Sequence, residues 1–399
     1  MALMFSSRTS WDRTQNPLSV AVERAKSSGR ALIDLTESNP TRAALFDVAP
    51  LVAELGHPRG ASYEPDPLGH PQAREAVATY YATRQFRVDP RRVVLSASTS
   101  EAYAWLFSLL CDPGDTVLIP RPSYPLLGWL AAHQGVRLVS YPLRHEAGFR
   151  IDLDELRHAI DARTRAIVVV HPNNPTGSFV RKSEAAALGA LAREHDLALV
   201  VDEVFGDAAF DALPEAALPS FVGLSPAEMP LSFVMSGLSK VLLLPQCKLG
   251  WTVVSGEANL VREAIERLEL ISDTYLSVST PVQLALPSLL AQVPATRRAL
   301  LQRLRQNLDA LDAALSELGP CAPIRRLPVE GGWYAVLEVP RVRDEEAWVD
   351  MLVTGDAVIV HPGYFFDFDR DGFLVISLLA SPLEFREGVT RVARRIGDA

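Results

Sequence analysis

Five short apolar runs rich in β-branched residues, set between longer helical patterns over about residues 74–294, constrain this chain more than any other feature. They cover residues 93–95, 116–119, 166–170, 198–201 and 231–235. A strand buried on both faces reads as such a run, because neither side of it meets water. Regular alternation with helices predicts an α/β fold with a parallel sheet covered on both faces. Each run ends in a polar or turn-forming segment. In open α/β sheets ligands lie beyond the carboxyl ends of the strands, so function is to be sought in those segments.

The C-terminal part follows a different pattern. Leu300, Leu301, Leu304, Leu308, Leu311 and Leu315 recur at helical spacing and Gly319-Pro320 supplies a stop, which predicts a long linking helix over 296–318. Residues 333–339, 357–360 and 373–378 read as strands and 384–396 as a final helix. With the N-terminal arm these predict a smaller α+β domain, so that residues 50–292 form the large domain and residues 1–49 and 293–399 the small one. A chain of 399 residues exceeds what one core usually organises, which agrees with two domains.

The net charge of −9, without any Lys/Arg-rich run, opposes binding to nucleic acid or to anionic membrane surfaces. No apolar run approaches membrane-spanning length, and the start Met1-Ala2-Leu3-Met4-Phe5 lacks the basic segment of a secretory signal. Cys111, Cys247 and Cys321 lie far apart without CxxC spacing, which argues against a metal site and a disulfide framework. The expected location is the cytoplasm.

The strand ends carry the chemistry. Run 231–235 leads into Ser236-Gly237-Leu238-Ser239-Lys240, and a lysine there, if its amine is kept partly neutral, can condense with an aldehyde. Most lysines are simply solvated, which is the ordinary alternative. Asp202 ends run 198–201, where an unpaired carboxylate is costly and calls for a cation such as a protonated pyridine nitrogen, or else caps a helix. Asn174 is held extended by Pro175, leaving its amide able to meet a phenolic oxygen; a plain turn would use the same residues. Ser98-Thr99-Ser100 opens an apolar helix, where hydroxyls and backbone N–H groups suit a phosphate or an N-cap.

In their order along the chain, these segments resemble the class I/II aminotransferases, the fold type I group of pyridoxal 5′-phosphate (PLP) enzymes. The resemblance rests on Tyr63 with Gly69 and Arg74, Ser98-Thr99-Ser100-Glu101-Ala102, Pro122-Ser123-Tyr124-Pro125, Asn173-Asn174-Pro175-Thr176-Gly177, Asp202-Glu203-Val204-Phe205, Ser236-Gly237-Leu238-Ser239-Lys240 and Lys248-Leu249-Gly250-Trp251. It covers roughly residues 30–395. It implies a large domain whose mostly parallel sheet has about seven strands. It also implies PLP as cofactor, held by Lys240 as a Schiff base, and amino-group transfer between an amino acid and a 2-oxo acid.

By the same resemblance Lys240 and Asp202 are the catalytic residues, the first moving a proton and the second pairing with the pyridinium nitrogen. Asn174 would meet the phenolic oxygen and lie near the substrate carboxylate, and Tyr124 would stack on the ring. Ser98, Thr99, Ser100 and Lys248, with Ser236 or Ser239, would hold the phosphate. Tyr63 would reach the phosphate of a neighbouring subunit, which implies a homodimer. Ser38, Asn39, Asn174 and Trp333 are the expected substrate contacts, and no metal is expected.

Four positions depart from the family pattern. Phe205 stands where tyrosine is usual, Lys248 where arginine is commoner, and Ser38 where many relatives have glycine. In Gly372-Phe373-Leu374-Val375-Ile376-Ser377, Val375 occupies the place of the arginine that typically clamps the substrate α-carboxylate. Arg8, Arg30, Arg42, Arg121 and Arg370 are candidate replacements. The departure keeps open another PLP reaction on the same fold, by an α,β-lyase, oxidase or cyclase acting on an unusual amino acid. A cofactor-binding protein without catalysis is the alternative from a different class. His361 reads as a structural histidine rather than a ligand contact.

Overall fold

The computed structural model describes residues 4–210 and 213–398. Its strands, in chain order, are β1 (Ile33–Asp34), β2 (Val93–Ser96), β3 (Thr116–Arg121), β4 (Arg137–Arg144), β5 (Arg150–Ile151), β6 (Thr164–Val170) and β7 (Ala198–Asp202). There follow β8 (Ser232–Gly237), β9 (Gly250–Ser255), β10 (Arg325–Arg326), β11 (Tyr334–Glu338), β12 (Val358–Ile359), β13 (His361–Pro362) and β14 (Phe373–Ser377).

The large sheet has the order β2-β9-β8-β7-β6-β3-β4-β5. Strands β8, β7, β6, β3 and β4 run parallel, whereas β9 is antiparallel to both β8 and β2. The sheet therefore has eight strands rather than about seven, because the two-residue β5 folds back antiparallel on β4. All five apolar runs lie on strands of this sheet. Their side chains alternate between two cores, as the pleat of a doubly covered strand requires. Ile167 and Val169 face the helices Pro71–Thr83, Lys182–Glu194 and Thr280–Leu290, while Ala166 and Val168 face Thr99–Leu110, Leu126–Gln134 and Ala258–Tyr275. Each fully buried Val, Leu or Ile contributes about 2 kcal/mol.

The small domain is built on the antiparallel sheet β10-β11-β14-β13 and on the long helix Val293–Ser316, which packs against the final helix Pro382–Gly397. Leu300, Leu304 and Leu311 meet Val336, Leu374, Ile376 and Phe385 in its core. The N-terminal arm joins this core through Ala21 and Ala25, and β1 pairs with β12 at Ile33 and Val358. Phe149, Phe205 and Phe210 enter the same core from the large-sheet side, so the two parts share a packed boundary. No helix among the described residues is long and apolar enough to cross a membrane.

Candidate active site

Because β3, β6, β7 and β8 are parallel, their carboxyl ends open on one side of the sheet, and β2 ends there too. A cavity of about 300 Å³ lies at these ends. Asp202 is the last residue of β7, Lys240 sits in the one-turn helix Leu238–Val241 after β8, and Asn174 follows β6. Ser98 precedes the helix Thr99–Leu110, Tyr124 follows β3, and Lys248 stands just before β9. All six line the cavity, together with Ser38, Thr99, Ser100, Ser239, Phe205 and Trp333.

The electrostatics follow from burial. The Asp202 carboxylate accepts from the Val204 N–H at 3.1 Å and the Tyr103 hydroxyl at 3.2 Å. Burial nevertheless pushes its pKa up to about 6, against those two bonds and the nearby Lys240 charge. Burial also pushes the Lys240 amine down to about 8, with Asp202 opposing the shift. The Lys240 amine lies 4.2 Å from the centre of a Trp333 ring and 5.5 Å from the Phe205 ring, which are themselves packed edge to face. Glu203, one residue on, points the other way, as strand alternation demands, and accepts from the Ser220 hydroxyl and the Phe221 N–H, both at 2.7 Å.

One end of the cavity is built from a helix start. Ser98 is extended, and its side chain accepts from the Glu101 N–H at 3.1 Å, so the N-cap role expected of it is filled. The first-turn amides of a helix have no partner within it, and Thr99 and Ser100 of that turn line the cavity. Opposite them Lys248 holds a left-handed backbone (φ +50°), a conformation that costs an L-residue about 1 kcal/mol.

Two contacts expected in this cavity, Ser236 and Asn39, do not line it. The Ser236 side chain is buried and its hydroxyl donates to the Glu203 carbonyl at 3.4 Å, which leaves Ser239 as the serine of that segment in the cavity. Asn39 spends its side-chain oxygen on the Thr41 N–H and hydroxyl. Tyr63 is 69% exposed and outside the cavity. Conversely, Tyr103, and Ser123 of the segment 122–125, line the cavity without having been assigned a role. Tyr103 stands four residues after Thr99 on one helix, so helical spacing alone puts the two on one face.

Residues 30–392 match the family described as aminotransferase class I and II. The chain belongs to the class I and II aminotransferases. Among its relatives is the tyrosine aminotransferase of Mus musculus, 27% identical over 385 residues, covering 92% of this chain and 82% of that one. Another is the glutamate-pyruvate aminotransferase AlaA of Haemophilus influenzae, 26% identical over 399 residues and covering 96% and 95%. The fold matches that of the alanine aminotransferase from Pyrococcus furiosus with a TM-score of 0.88, at 23% identity and coverage of 99% and 100%. This aminotransferase is a PLP-dependent enzyme of fold type I.

The cavity suits that cofactor on its own chemistry. Asp202 is a half-buried carboxylate that burial pushes toward neutrality and that, among the described residues, has no ion pair, which a cationic ring nitrogen would supply. The side-chain oxygens of Asn174 and Ser123 are buried without a hydrogen-bond partner, as expected of groups that await a polar ligand.

Proposed function

We propose that Lys240 and Asp202 are the catalytic pair of this aminotransferase, and that the enzyme moves an amino group between an amino acid and a 2-oxo acid. What supports this most directly is the pair of strand ends. Adjacent strands β7 and β8 bring a half-buried carboxylate and a half-buried, partly neutral amine to one cavity. Bound PLP supplies an electron sink for the carbon that carries the amino group. Lys240 would hold the cofactor and, with its amine free, would move a proton from that carbon to the cofactor carbon on the far side of the transferred nitrogen. Asp202 keeps a proton on the ring nitrogen, and Tyr103 and the Val204 N–H keep Asp202 in place.

Around this pair Asn174 would hold the phenolic oxygen and Tyr124 would cover the ring. Ser98, Thr99, Ser100, Ser239 and Lys248 surround the phosphate. Ser38 and Trp333 face the substrate. The large domain over 50–292 carries the cofactor, and the small domain over 1–49 and 293–399 closes the substrate side. Tyr63 acts across a homodimer, in a neighbouring cavity. The proposed setting of the enzyme is the cytoplasm.

The decisive assay offers a panel of amino acids with a 2-oxo acid acceptor. We expect acceptor-dependent product in wild type and a loss of at least about 10⁴-fold in Lys240→Ala, with the fold kept. Turnover in Lys240→Ala near the wild-type rate would refute the assignment. Ammonia release without an acceptor would place the enzyme in another reaction class.

A further inference from the structure

We propose that this enzyme recognises the head group beside the reacting amine as a neutral hydrogen-bonding group, and so accepts amino acids whose α-carboxyl is masked as an amide or ester. The proposal deepens the transfer reaction above and rests on it.

The charge around the cavity carries the argument. Among the described residues its walls hold two cations, Lys240 and Lys248. In the reading above both serve the cofactor, and Asp202 adds a negative charge of its own. The rest of the polar wall is uncharged: the hydroxyls of Ser38, Tyr124 and Tyr334, the Asn174 amide and the Trp333 indole. The indole N–H is buried without a hydrogen bond of normal geometry, although it lies close enough to the Tyr334 hydroxyl to oppose the effect of burial there.

The candidate arginines lie outside the cavity, and four of them are hydrogen-bonded to other groups. Arg8 donates to the His133 carbonyl at 3.1 Å and Arg30 to the carbonyls of Thr354 and Gly355. Arg121 bonds the Asp367 and Phe368 carbonyls, and Arg370 the Glu338 carboxylate at 2.7 Å. Arg42 sits 3.6 Å from Glu37 with its side chain 74% exposed. None of the five lines the cavity.

Position 375 confirms the pattern from the strand itself. Val375 and Ser377 share one face of β14, and the Ser377 hydroxyl donates to the Glu37 carbonyl at 2.6 Å, next to Ser38 of the cavity wall. Val375 is fully buried, and its cross-strand neighbours on that face are Val336 and His361, whose imidazole burial holds neutral by lowering its pKa to about 4, so no charge reaches the substrate side from this strand.

A carboxylate entering such a wall loses its hydration without gaining a cation, whereas an amide or ester loses far less and keeps its hydrogen bonds. A guanidinium clamp would reverse the preference, because a neutral head group would leave its charge unpaired.

The test uses the purified holoenzyme and three donors sharing one side chain: the L-amino acid, its α-carboxamide and its methyl ester. Conversion is followed in a single half-reaction, and inhibition constants are measured for the matching acid and amide that lack the amine. We expect the carboxamide to match or exceed the acid in kcat/KM, and the unreactive amide to inhibit at least as well as the unreactive acid. An acid preferred over the amide by more than about tenfold in kcat/KM, which is 1.4 kcal/mol, overturns the proposal. It would mean that a cation reaches the cavity, for example from a second subunit. Failure of all three donors with every acceptor is a different result, since it removes the transfer reaction itself.

Discussion

At the scale of single residues, Asp202 shows a site holding charge that its own fold disfavours. Its folded pKa of about 6 exceeds the ordinary 3.8, so between those values the folded protein binds a proton more tightly than the unfolded chain. Stability from this group is therefore greatest at low pH and is lost as pH rises through that window. Lys240 behaves in mirror image. Its pKa of about 8, below the ordinary 10.5, leaves a penalty at neutral pH that is relieved only as pH rises from about 8 to 10.5. Asp202→Asn keeps the shape and the acceptor for Val204 and removes the charge. Cofactor-free Asp202→Asn should then lack the wild-type fall in unfolding free energy between pH 4 and 6, a difference on the order of 1–3 kcal/mol. Denaturant titrations across that range check it, and parallel curves for the two proteins would show that the carboxylate carries no such penalty. Added PLP should raise the melting temperature of wild type more than that of the variant, because the ring cation has a partner only in wild type. Lys240 and Asp202 were both legible in the sequence as residues of this cavity, Asp202 directly after one apolar run and Lys240 five residues past another. Tyr103 was not, because a tyrosine on an apolar helix reads as core, and only the fold shows its hydroxyl against Asp202.

Among the elements, the site depends on turns that lock onto one another across long chain separations. The turn holding Asn174 closes through the Gly177 N–H, which donates to the Asn173 carbonyl at 2.7 Å. Gly177 in turn receives the 330–333 segment: the Glu330 N–H donates to the Gly177 carbonyl at 3.3 Å, and the Glu330 carboxylate accepts from the Phe179 N–H at 2.9 Å. This fixes Trp333 over Lys240 from some 90 residues further along the chain. Gly177 has φ +66°, and a Cβ there would overlap the Gly331 carbonyl and the Val329 side chain. Gly177→Ala should therefore cost about 2–4 kcal/mol and disturb Asn174 and Trp333 together. Thermal melts with indole fluorescence measure both effects, and an unchanged melting point would show that the two turns are not coupled. Such coupling is invisible to pattern reading, which sees local periodicity only. The same limit hid β4, whose exposed Arg137 and Arg144 and internal Pro142 break any apolar run, and β9, where Gly250 and Thr252 interrupt one. Strands buried on both faces were legible because burial leaves a continuous signal.

The whole molecule was legible in outline, since a long amphipathic helix separating two kinds of pattern marks where one core gives way to another. What the pattern could not reveal is that the N-terminal arm joins the C-terminal sheet, because β1 is two residues long and acquires its meaning only by pairing with β12. Assembly is the remaining level. Tyr63 is exposed, and its segment is fixed to the chain by the Asp66 N–H bond to the Ser277 hydroxyl at 3.0 Å, beside exposed Tyr275 and Leu276. That apolar surface is suited to meet a second copy, and Tyr63 would then enter the neighbour's cavity. If so, Tyr63→Ala damages the partner's site and Lys240→Ala its own. Mixing the two variants, each with little activity, and letting subunits exchange gives mixed dimers in half of the population. In each mixed dimer one cavity has its own Lys240 and a partner bearing Tyr63, while the other lacks both. Activity should recover to about a quarter of wild type. A mixture no more active than the average of its parts, in a protein that sediments as a dimer, would place Tyr63 outside the catalytic assembly.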